Sequence, residues 1–340
     1  MLKLYAGSYT DNTKSKGIYT MDWDGADGLR IVAVYPERNP SFLTIHGQYL
    51  FAANEVPEQS GMSAYRIEPD GSLSFLDRFL GSGADTCALC VAEDGQTVLG
   101  ANYSSGSITV APFDGERFTH ITEHAHKGRS IIAGRQDAPH VHSITALKGN
   151  YIAADLGLDK LFRYELEPKG LRLIPWKTQP FVKADPGEGP RHLCVSPDIK
   201  RAYLNTELRN SIVTFAIEDD GALVEIHCLK SIHEAFEGCY VSDICVTSDN
   251  HFLYVGVRGA DKIAVIGLDE NGIPVKTMFM DCGGICPRSM CLGPEDQTLL
   301  VANMHSGTLA IFERNGVNGD LRKIHALDIP GVSAMRWKKL

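Results

Sequence analysis

Tyr49-Leu-Phe-Ala-Ala-Asn54 is an apolar segment with strand character that ends in a small polar residue, and it is one of a series. Each segment is followed by a short loop and a further apolar stretch; the other members begin at Val98, Tyr151, Ala202, Leu253 and Leu299. They recur about every 50 residues, a period typical of blades, solenoids and other repeat arrays. Because the apolar positions alternate as they do in strands, the pattern predicts an all-β propeller and not a helical solenoid.

Turn residues divide each repeat into strands. Asp94-Gly95 separates a first strand from the repeated apolar segment, which we call the anchor strand. Asp220-Gly221 precedes an outer strand. Asp, Asn and Gly tolerate the positive φ angles of hairpin turns. Each repeat is therefore predicted to form one blade of four antiparallel strands.

The two ends of the chain supply a seventh blade. Leu4-Tyr-Ala-Gly7 matches an anchor strand but has no first strand before it, and residues 331–337 align with the first strand at 286–292. We therefore predict that the N- and C-terminal strands pair and close a ring of seven four-stranded blades, which leaves no open sheet edge. The predicted propeller occupies residues 1–340 as a single domain.

Composition limits the classes of partner. The chain has 340 residues and a formal net charge of −9, which argues against general affinity for nucleic acid. No apolar run approaches the roughly 20 residues needed to cross a bilayer, and the first residues enter a strand pattern without the apolar stretch of a secretory signal. We expect a cytoplasmic protein with no membrane partner, and the sequence leaves the oligomeric state open.

Nine cysteines raise the question of a metal site. When the repeats are aligned, one strand position holds cysteine in four of them, namely Cys90, Cys194, Cys245 and Cys291. A small, soft residue that fills the same buried position in successive blades is the simplest explanation. His140 and His142 share a strand face, but no third ligand of suitable spacing accompanies them. Neither a metal nor a cofactor is predicted.

The repeats differ most at the start of the first strand and directly after the anchor, two positions that meet at one mouth of a propeller channel. A core column would be apolar there, but this chain has polar and charged residues, namely Glu55, His140, His142, Arg191, His192, Glu207, Arg258 and Arg288. Arginine presents a rigid fork of donors to carboxylate or phosphate, so these residues predict a site for a small anion. The alternative is that the charges form structural salt bridges between blades.

Several of these residues stand in motifs that resemble the lactonase family of seven-bladed propellers, which includes a bacterial 6-phosphogluconolactonase and a fungal carboxy-cis,cis-muconate cyclase. The motifs are Ala138-Pro-His-Val-His-Ser143, Gly189-Pro-Arg-His-Leu193, Arg258-Gly-Ala-Asp-Lys-Ile263, and Pro287-Arg-Ser with Val301-Ala-Asn303. The resemblance covers nearly the whole chain. Thr206 and Val257 replace the asparagine common at anchors, a departure that changes loop anchoring and leaves the charged residues in place.

The resemblance implies hydrolysis of a sugar lactone, most of all 6-phospho-D-glucono-1,5-lactone to 6-phosphogluconate in the pentose phosphate pathway. By resemblance, Glu207 activates water, His142 protonates the departing ring oxygen, and Arg191 acts with them in catalysis. The remaining substrate contacts are expected from Arg258, Arg288, His140, His192 and Glu55. A general base contributing about 10²- to 10⁴-fold suffices for a lactone that already opens in water.

Two other functions remain open on the sequence. A muconate-type cyclisation would use the same arginines to hold carboxylates and the same His or Glu to move a proton. A non-catalytic propeller that binds a partner on its flat face is also compatible with the fold, because fold does not fix function.

Overall fold

The computed structural model describes residues 2–25, 28–167, 171–230, 232 and 238–340. In this part of the chain the regular structure consists of strands and one short 3₁₀ turn, Pro294–Asp296. The chain divides into two compact units. Unit 1 comprises Met1–Asn12, Lys16–Pro190 and Arg336–Leu340, and unit 2 comprises Thr13–Ser15 and Arg191–Met335.

The first sixteen strands belong to unit 1. They are β1 (Leu2–Ser8), β2 (Gly17–Trp23), β3 (Leu29–Pro36), β4 (Pro40–His46), β5 (Tyr49–Asn54), β6 (Gly61–Ile67), β7 (Leu73–Leu80), β8 (Thr86–Val91), β9 (Thr97–Asn102), β10 (Ser107–Pro112), β11 (Thr122–Ala125), β12 (Val141–Leu147), β13 (Asn150–Asp155), β14 (Lys160–Leu166), β15 (Leu173–Pro175) and β16 (Phe181–Lys183).

The strands that follow are β17 (Pro190–Val195), β18 (Arg201–Thr206), β19 (Ile212–Ile217), β20 (Leu223–Leu229), β21 (Tyr240–Val246), β22 (Phe252–Arg258), β23 (Lys262–Leu268), β24 (Pro274–Asp281), β25 (Pro287–Leu292), β26 (Thr298–Asn303), β27 (Thr308–Arg314), β28 (Leu321–Asp328) and β29 (Val332–Lys339).

Within the described residues these strands form seven sheets, in agreement with the sequence prediction. Five of them are consecutive four-stranded sheets, β4 to β7, β8 to β11, β17 to β20, β21 to β24 and β25 to β28. The sheet that contains the N-terminus has the order β29-β1-β2-β3. The predicted pairing of the terminal strands is therefore confirmed.

The sheet of β12 to β16 differs from the prediction of four strands, because its outer strand is divided in two. Both β15 and β16 pair with β14, with Tyr164 opposite Pro175 and Phe162 opposite Phe181. Between these pairs, Trp176 N–H donates to Arg163 O and Arg163 N–H donates to Pro180 O. Proline lacks a backbone donor and favours strand ends and bulges, so the prolines at 175 and 180 account for the interruption.

The anchor strands are the most buried elements of each sheet. Strands β9, β13 and β26 are buried at every position, whereas the outer strand β7 is largely exposed or half-buried. A strand with sheet neighbours on both edges and packing on both faces must be apolar throughout. This burial explains why the repeated apolar segment was visible in the sequence.

A tyrosine in the second position of several anchors binds the backbone of a glycine turn far away in sequence. Tyr203 hydroxyl donates to Gly272 O at 2.9 Å, and Tyr254 hydroxyl donates to Gly319 O at 3.1 Å. Gly272 has φ +74°, and a Cβ there would lie 2.8 Å from the Tyr203 hydroxyl oxygen. The turn therefore needs glycine both for its backbone angle and for the approach of the tyrosine.

The aligned cysteines are half-buried, not fully buried as predicted. Cys90, Cys194 and Cys245 pack at the margins of apolar clusters within their units. Burial raises the pKa of the Cys90 thiol to about 11. These thiols are thus protonated packing groups at neutral pH.

Candidate active site

Three predicted site residues meet in unit 2, at the start of an edge strand and the ends of its neighbours. Arg191 is the second residue of β17, Glu207 directly follows β18, and Arg258 is the last residue of β22. Since β17 is next to β18 in one sheet and antiparallel hairpin strands run in opposite directions, the start of β17 lies beside the end of β18. The antiparallel geometry thus brings residues 191 and 207 together.

One carboxylate oxygen joins two guanidinium groups. Arg191 Nε donates to Glu207 Oε2 at 2.9 Å, and Arg258 Nη2 lies 2.9 Å from the same oxygen. Arg191 is 1% exposed and also donates through Nη1 to the carbonyl of Ser242. Arg258 Nη2 donates to Val241 O at 2.9 Å. The carboxylate therefore connects the sheet of β17 to β20 with the sheet of β21 to β24.

The cluster contains several cationic side chains. Burial and the charges of Arg258 and Arg288 lower the pKa of Arg191 to about 10, against the opposing effect of Glu207 and Asp243. Arg191 remains cationic at neutral pH. The charges of Arg191, Arg258 and Arg288 therefore act on one another here, and such a group of guanidiniums suits an anionic ligand.

Arg258 also has a donor left over. Its Nε is buried and has no hydrogen-bond partner among the described residues, although 19% of the side chain is exposed. Buried polar groups are nearly always paired, so this N–H is a candidate contact for a bound ligand.

A second set of polar contacts runs across the starts of β17, β21 and β25. His192 Nδ1 lies 2.9 Å from Asp243 Oδ1, and Ser289 hydroxyl donates to Asp243 Oδ2 at 2.9 Å. His192 N–H donates to Asn205 Oδ1 at 2.9 Å. His192, Asp243 and Ser289 occupy the same position in the first strands of three successive sheets. Asp243 therefore contacts one side chain from the sheet before it and one from the sheet after it.

Unit 1 holds the two histidines of the His-x-His motif. The ring of Tyr103 stacks on His140 with centroids 4.5 Å apart and meets His142 edge-on at 5.3 Å. Cys87 Sγ lies 3.9 Å from His142 Nδ1. His140 N–H donates to Asp155 Oδ1 at 2.9 Å, which fixes the start of this first strand.

Glu55, also in unit 1, takes part in different contacts. Its Oε2 accepts a hydrogen bond from the Tyr9 hydroxyl at 2.8 Å, and its backbone N–H donates to Asn39 O at 3.1 Å. In the part of the chain that the structure describes, no three His, Cys, Asp or Glu residues are arranged to hold a metal ion. No helix among these residues is long and apolar enough to span a membrane.

The structure thus brings together Arg191, Glu207 and Arg258, and the charge of Arg288 reaches both Arg191 and His192. Asp243 was not among the predicted site residues. When the repeats are aligned, Asp243 occupies the same first-strand position as His192 and Ser289, and this shared position could have identified it as a site residue. The roles of the Val241 and Ser242 carbonyl groups as acceptors could not be predicted from the sequence, because every residue type has a backbone carbonyl.

The chain is similar to known proteins over nearly its whole length. The model of a family described as lactonase, 7-bladed beta-propeller, matches residues 3–337. A 6-phosphogluconolactonase of Bacillus subtilis is 32% identical over 329 residues, covering 93% of this chain and 92% of the relative. An uncharacterised protein of Staphylococcus saprophyticus is 30% identical over 93% of both chains.

Solved structures extend the likeness to the fold. The periplasmic gluconolactonase of Pseudomonas aeruginosa superposes with a TM-score of 0.92 and 28% identity, over 99% of each chain. A protein from Lactobacillus plantarum superposes with a TM-score of 0.91 and 25% identity over the full length of both.

Proposed function

Since this chain belongs to the lactonase family of seven-bladed β-propellers, a family of lactone-hydrolysing enzymes, we propose that its substrate is a sugar lactone and specifically 6-phospho-D-glucono-1,5-lactone. The proposal of a phosphorylated substrate is supported by the relative from Bacillus subtilis. Such a substrate belongs to the cytoplasmic pentose phosphate pathway. Unphosphorylated gluconolactone is the competing substrate, because the structurally similar protein of Pseudomonas aeruginosa is described as a periplasmic gluconolactonase.

The observation that carries the proposal is the cationic cluster with a buried, unpartnered donor at Arg258 Nε. Hydrolysis of a lactone develops negative charge on the carbonyl oxygen. Preorganised donors aimed at such an oxygen act strongly in a site from which water is excluded. We assign this role to Arg258, with Arg288 as the companion charge for the phosphate.

Arg191 receives a different role from the one expected from the sequence. Its side chain is 1% exposed, and it donates to Glu207 and to the Ser242 carbonyl. We therefore propose that Arg191 is a positioning residue, which holds Glu207 so that Glu207 in turn fixes Arg258. The assignment of His142 as the proton donor to the ring oxygen is carried over from the family resemblance.

The experiment compares hydrolysis of freshly generated 6-phosphogluconolactone with that of gluconolactone, after subtraction of the uncatalysed rate. We expect strong acceleration that favours the phosphorylated lactone, and a loss of about 10²-fold in kcat/KM for Arg258→Ala, the size typical of a removed oxyanion donor. Arg322→Ala is the matched control, because Arg322 is exposed and paired with exposed Glu313. Absence of acceleration by the native protein would refute the proposal, and equal acceleration of both lactones would refute its phosphate part.

A further inference from the structure

We propose that His192, oriented by Asp243, accepts the proton from the attacking water in this site. The inference rests on the proposed lactone hydrolysis and changes its base from Glu207 to a histidine. It is carried by the contacts of three residues on neighbouring edge strands in unit 2.

Asp243 is held in place by several donors. Oδ1 accepts from Ile244 N–H at 3.0 Å and from His192, while Oδ2 accepts from Ser289 hydroxyl at 2.9 Å and Met290 N–H at 3.0 Å. Burial alone would raise the pKa of Asp243, but these hydrogen bonds outweigh it and hold the pKa below its usual range. Asp243 is therefore a carboxylate, which can only accept hydrogen bonds.

The carboxylate fixes the tautomer of His192. Because Asp243 Oδ1 is an acceptor 2.9 Å from Nδ1, the ring proton belongs on Nδ1 and the lone pair on Nε2. A histidine held in this way by an aspartate is the arrangement that lets an imidazole act as a general base. The backbone of His192 is held as well, through its N–H bond to Asn205.

The charges around His192 keep the ring neutral. Burial lowers its pKa, and the charges of Arg191 on β17 and Arg288 on β25 add to the effect, while the hydrogen bond and charge of Asp243 on β21 oppose it. The nearby thiols of Cys194 and Cys245 have raised pKa values and are uncharged at neutral pH. A neutral imidazole near pH 7 is ready to accept a proton.

Glu207 is less suited to this task. Its Oε2 binds two guanidinium groups, so this oxygen is directed at Arg191 and Arg258 and not at an attacking water. The geometry therefore separates two roles, with Glu207 organising the arginines and His192 moving the proton.

The proposed step is the attack of one water molecule on the lactone. Water oxygen forms a bond to the lactone carbonyl carbon, the carbonyl π electrons move onto oxygen, and the water proton passes to His192 Nε2. When the carbonyl reforms, the ring C–O bond breaks and the ring oxygen takes a proton from the proton donor, leaving a hydroxyl and a carboxylic acid that ionises in water. His192 then releases its own proton to water, and the donor takes a proton back from water, so both groups return to their starting states. Water is the only co-reactant.

The kinetic test compares His192→Gln, Asp243→Asn and Glu207→Gln with His251→Gln, a control on a largely exposed histidine. We expect kcat to fall about 10²- to 10⁴-fold in His192→Gln with KM little changed. In the native protein, kcat/KM is expected to rise with pH below about pH 6.5, the ordinary pKa of histidine, as His192 loses its proton. This rise disappears in His192→Gln and persists in Glu207→Gln, a distinction that a structural role for His192 would not produce.

A second readout does not depend on activity. Long-range ¹H–¹⁵N spectra of the native protein are expected to show a neutral imidazole protonated on Nδ1, with a pKa below the ordinary value, and the signals of this ring are absent from His192→Gln. An Nε2-protonated His192 overturns the proposal.

The outcomes separate the two proposals. If the native protein accelerates lactone hydrolysis but the pH dependence persists in His192→Gln and is lost in Glu207→Gln, the base assignment is wrong and the lactonase proposal survives. If the native protein accelerates neither lactone, the proposed function fails and the base assignment fails with it.

Discussion

Arg191 is a buried cation whose stability depends on its partner. Glu207 supplies the carboxylate at 2.9 Å and is itself 6% exposed. Replacing the carboxylate in Glu207→Gln removes the counter-charge that lies in contact with a buried guanidinium, and breaking such a pair costs about 3 kcal/mol or more. Urea unfolding measures the change. Glu313→Gln, which removes an exposed partner of Arg322, is the control and should cost below about 1 kcal/mol.

A small effect of Glu207→Gln, equal to that of the control, would mean that the arginines find other compensation. It would also remove the reason for treating Glu207 as the organiser of Arg191 and Arg258.

His192 makes the stability of the fold depend on pH in a defined direction. Its pKa is lower in the folded protein than the ordinary value of about 6.5, so between these two values the unfolded chain binds more protons. The free energy of unfolding must therefore rise with pH across this interval, reaching its full value above about pH 6.5. Denaturation curves at a series of pH values are expected to show a smaller rise in His192→Gln than in the native protein. Identical slopes would contradict the lowered pKa.

The convergence of Arg191, Glu207 and Arg258 could be predicted from the sequence, because each stands at a matched position of an aligned repeat. Asp243 could not be selected in the same way. Its column contains His192 and Ser289 as well, and only the distances show that the three contact one another. Burial could not be predicted either, since nothing in the residue type distinguishes the buried Arg191 from the half-buried Arg288.

At the scale of elements, the contact between an anchor tyrosine and a glycine turn is a candidate determinant of how neighbouring sheets pack. Gly272→Ala introduces a side chain at φ +74° and 2.8 Å from the Tyr203 hydroxyl. Gly149→Ala is the matched control, since Gly149 has φ +77° and no heavy atom within 4 Å of an added Cβ. We expect Gly149→Ala to cost about 1 kcal/mol of unfolding free energy through the backbone angle alone.

Gly272→Ala is expected to cost more than Gly149→Ala, because the tyrosine must move and its hydrogen bond, worth about 1 kcal/mol, is lost. Combining Gly272→Ala with Tyr203→Phe should therefore cost less than the sum of the two single changes. Strict additivity in thermal or urea unfolding would show that the hydroxyl contact contributes nothing.

The elements themselves were largely predictable, because the anchor strands are buried throughout and so carry a continuous apolar signal. The divided outer strand at β15 and β16 was not predicted. Outer strands are short, half-exposed and weakly patterned, and the consequence of Pro175 and Pro180 depends on backbone contacts with Arg163 that the sequence does not specify.

For the whole molecule, the pairing of β29 with β1 links the two ends of the chain. Val332, Ala334 and Met335 of β29 are at most 1% exposed, so removing residues 331–340 deletes a buried strand and uncovers an edge of β1. We expect the truncated protein to lose its cooperative thermal transition. Deletion of Leu340 alone is the control, because this residue lies beyond the strand and is exposed. A cooperative melt close to that of the native protein would contradict the prediction.

The same pairing sets the order of events when the protein is made. The first strand leaves the ribosome early, but its partner is synthesised more than 300 residues later. At about 5 to 20 residues per second, this delay is roughly 15 to 60 seconds. Throughout this time Leu4, Tyr5 and Ala6, which are fully buried in the finished protein, belong to a strand with one bare edge. Protection of the nascent chain, by chaperones or by rapid completion of the other sheets, is therefore a requirement imposed by the position of the last strand.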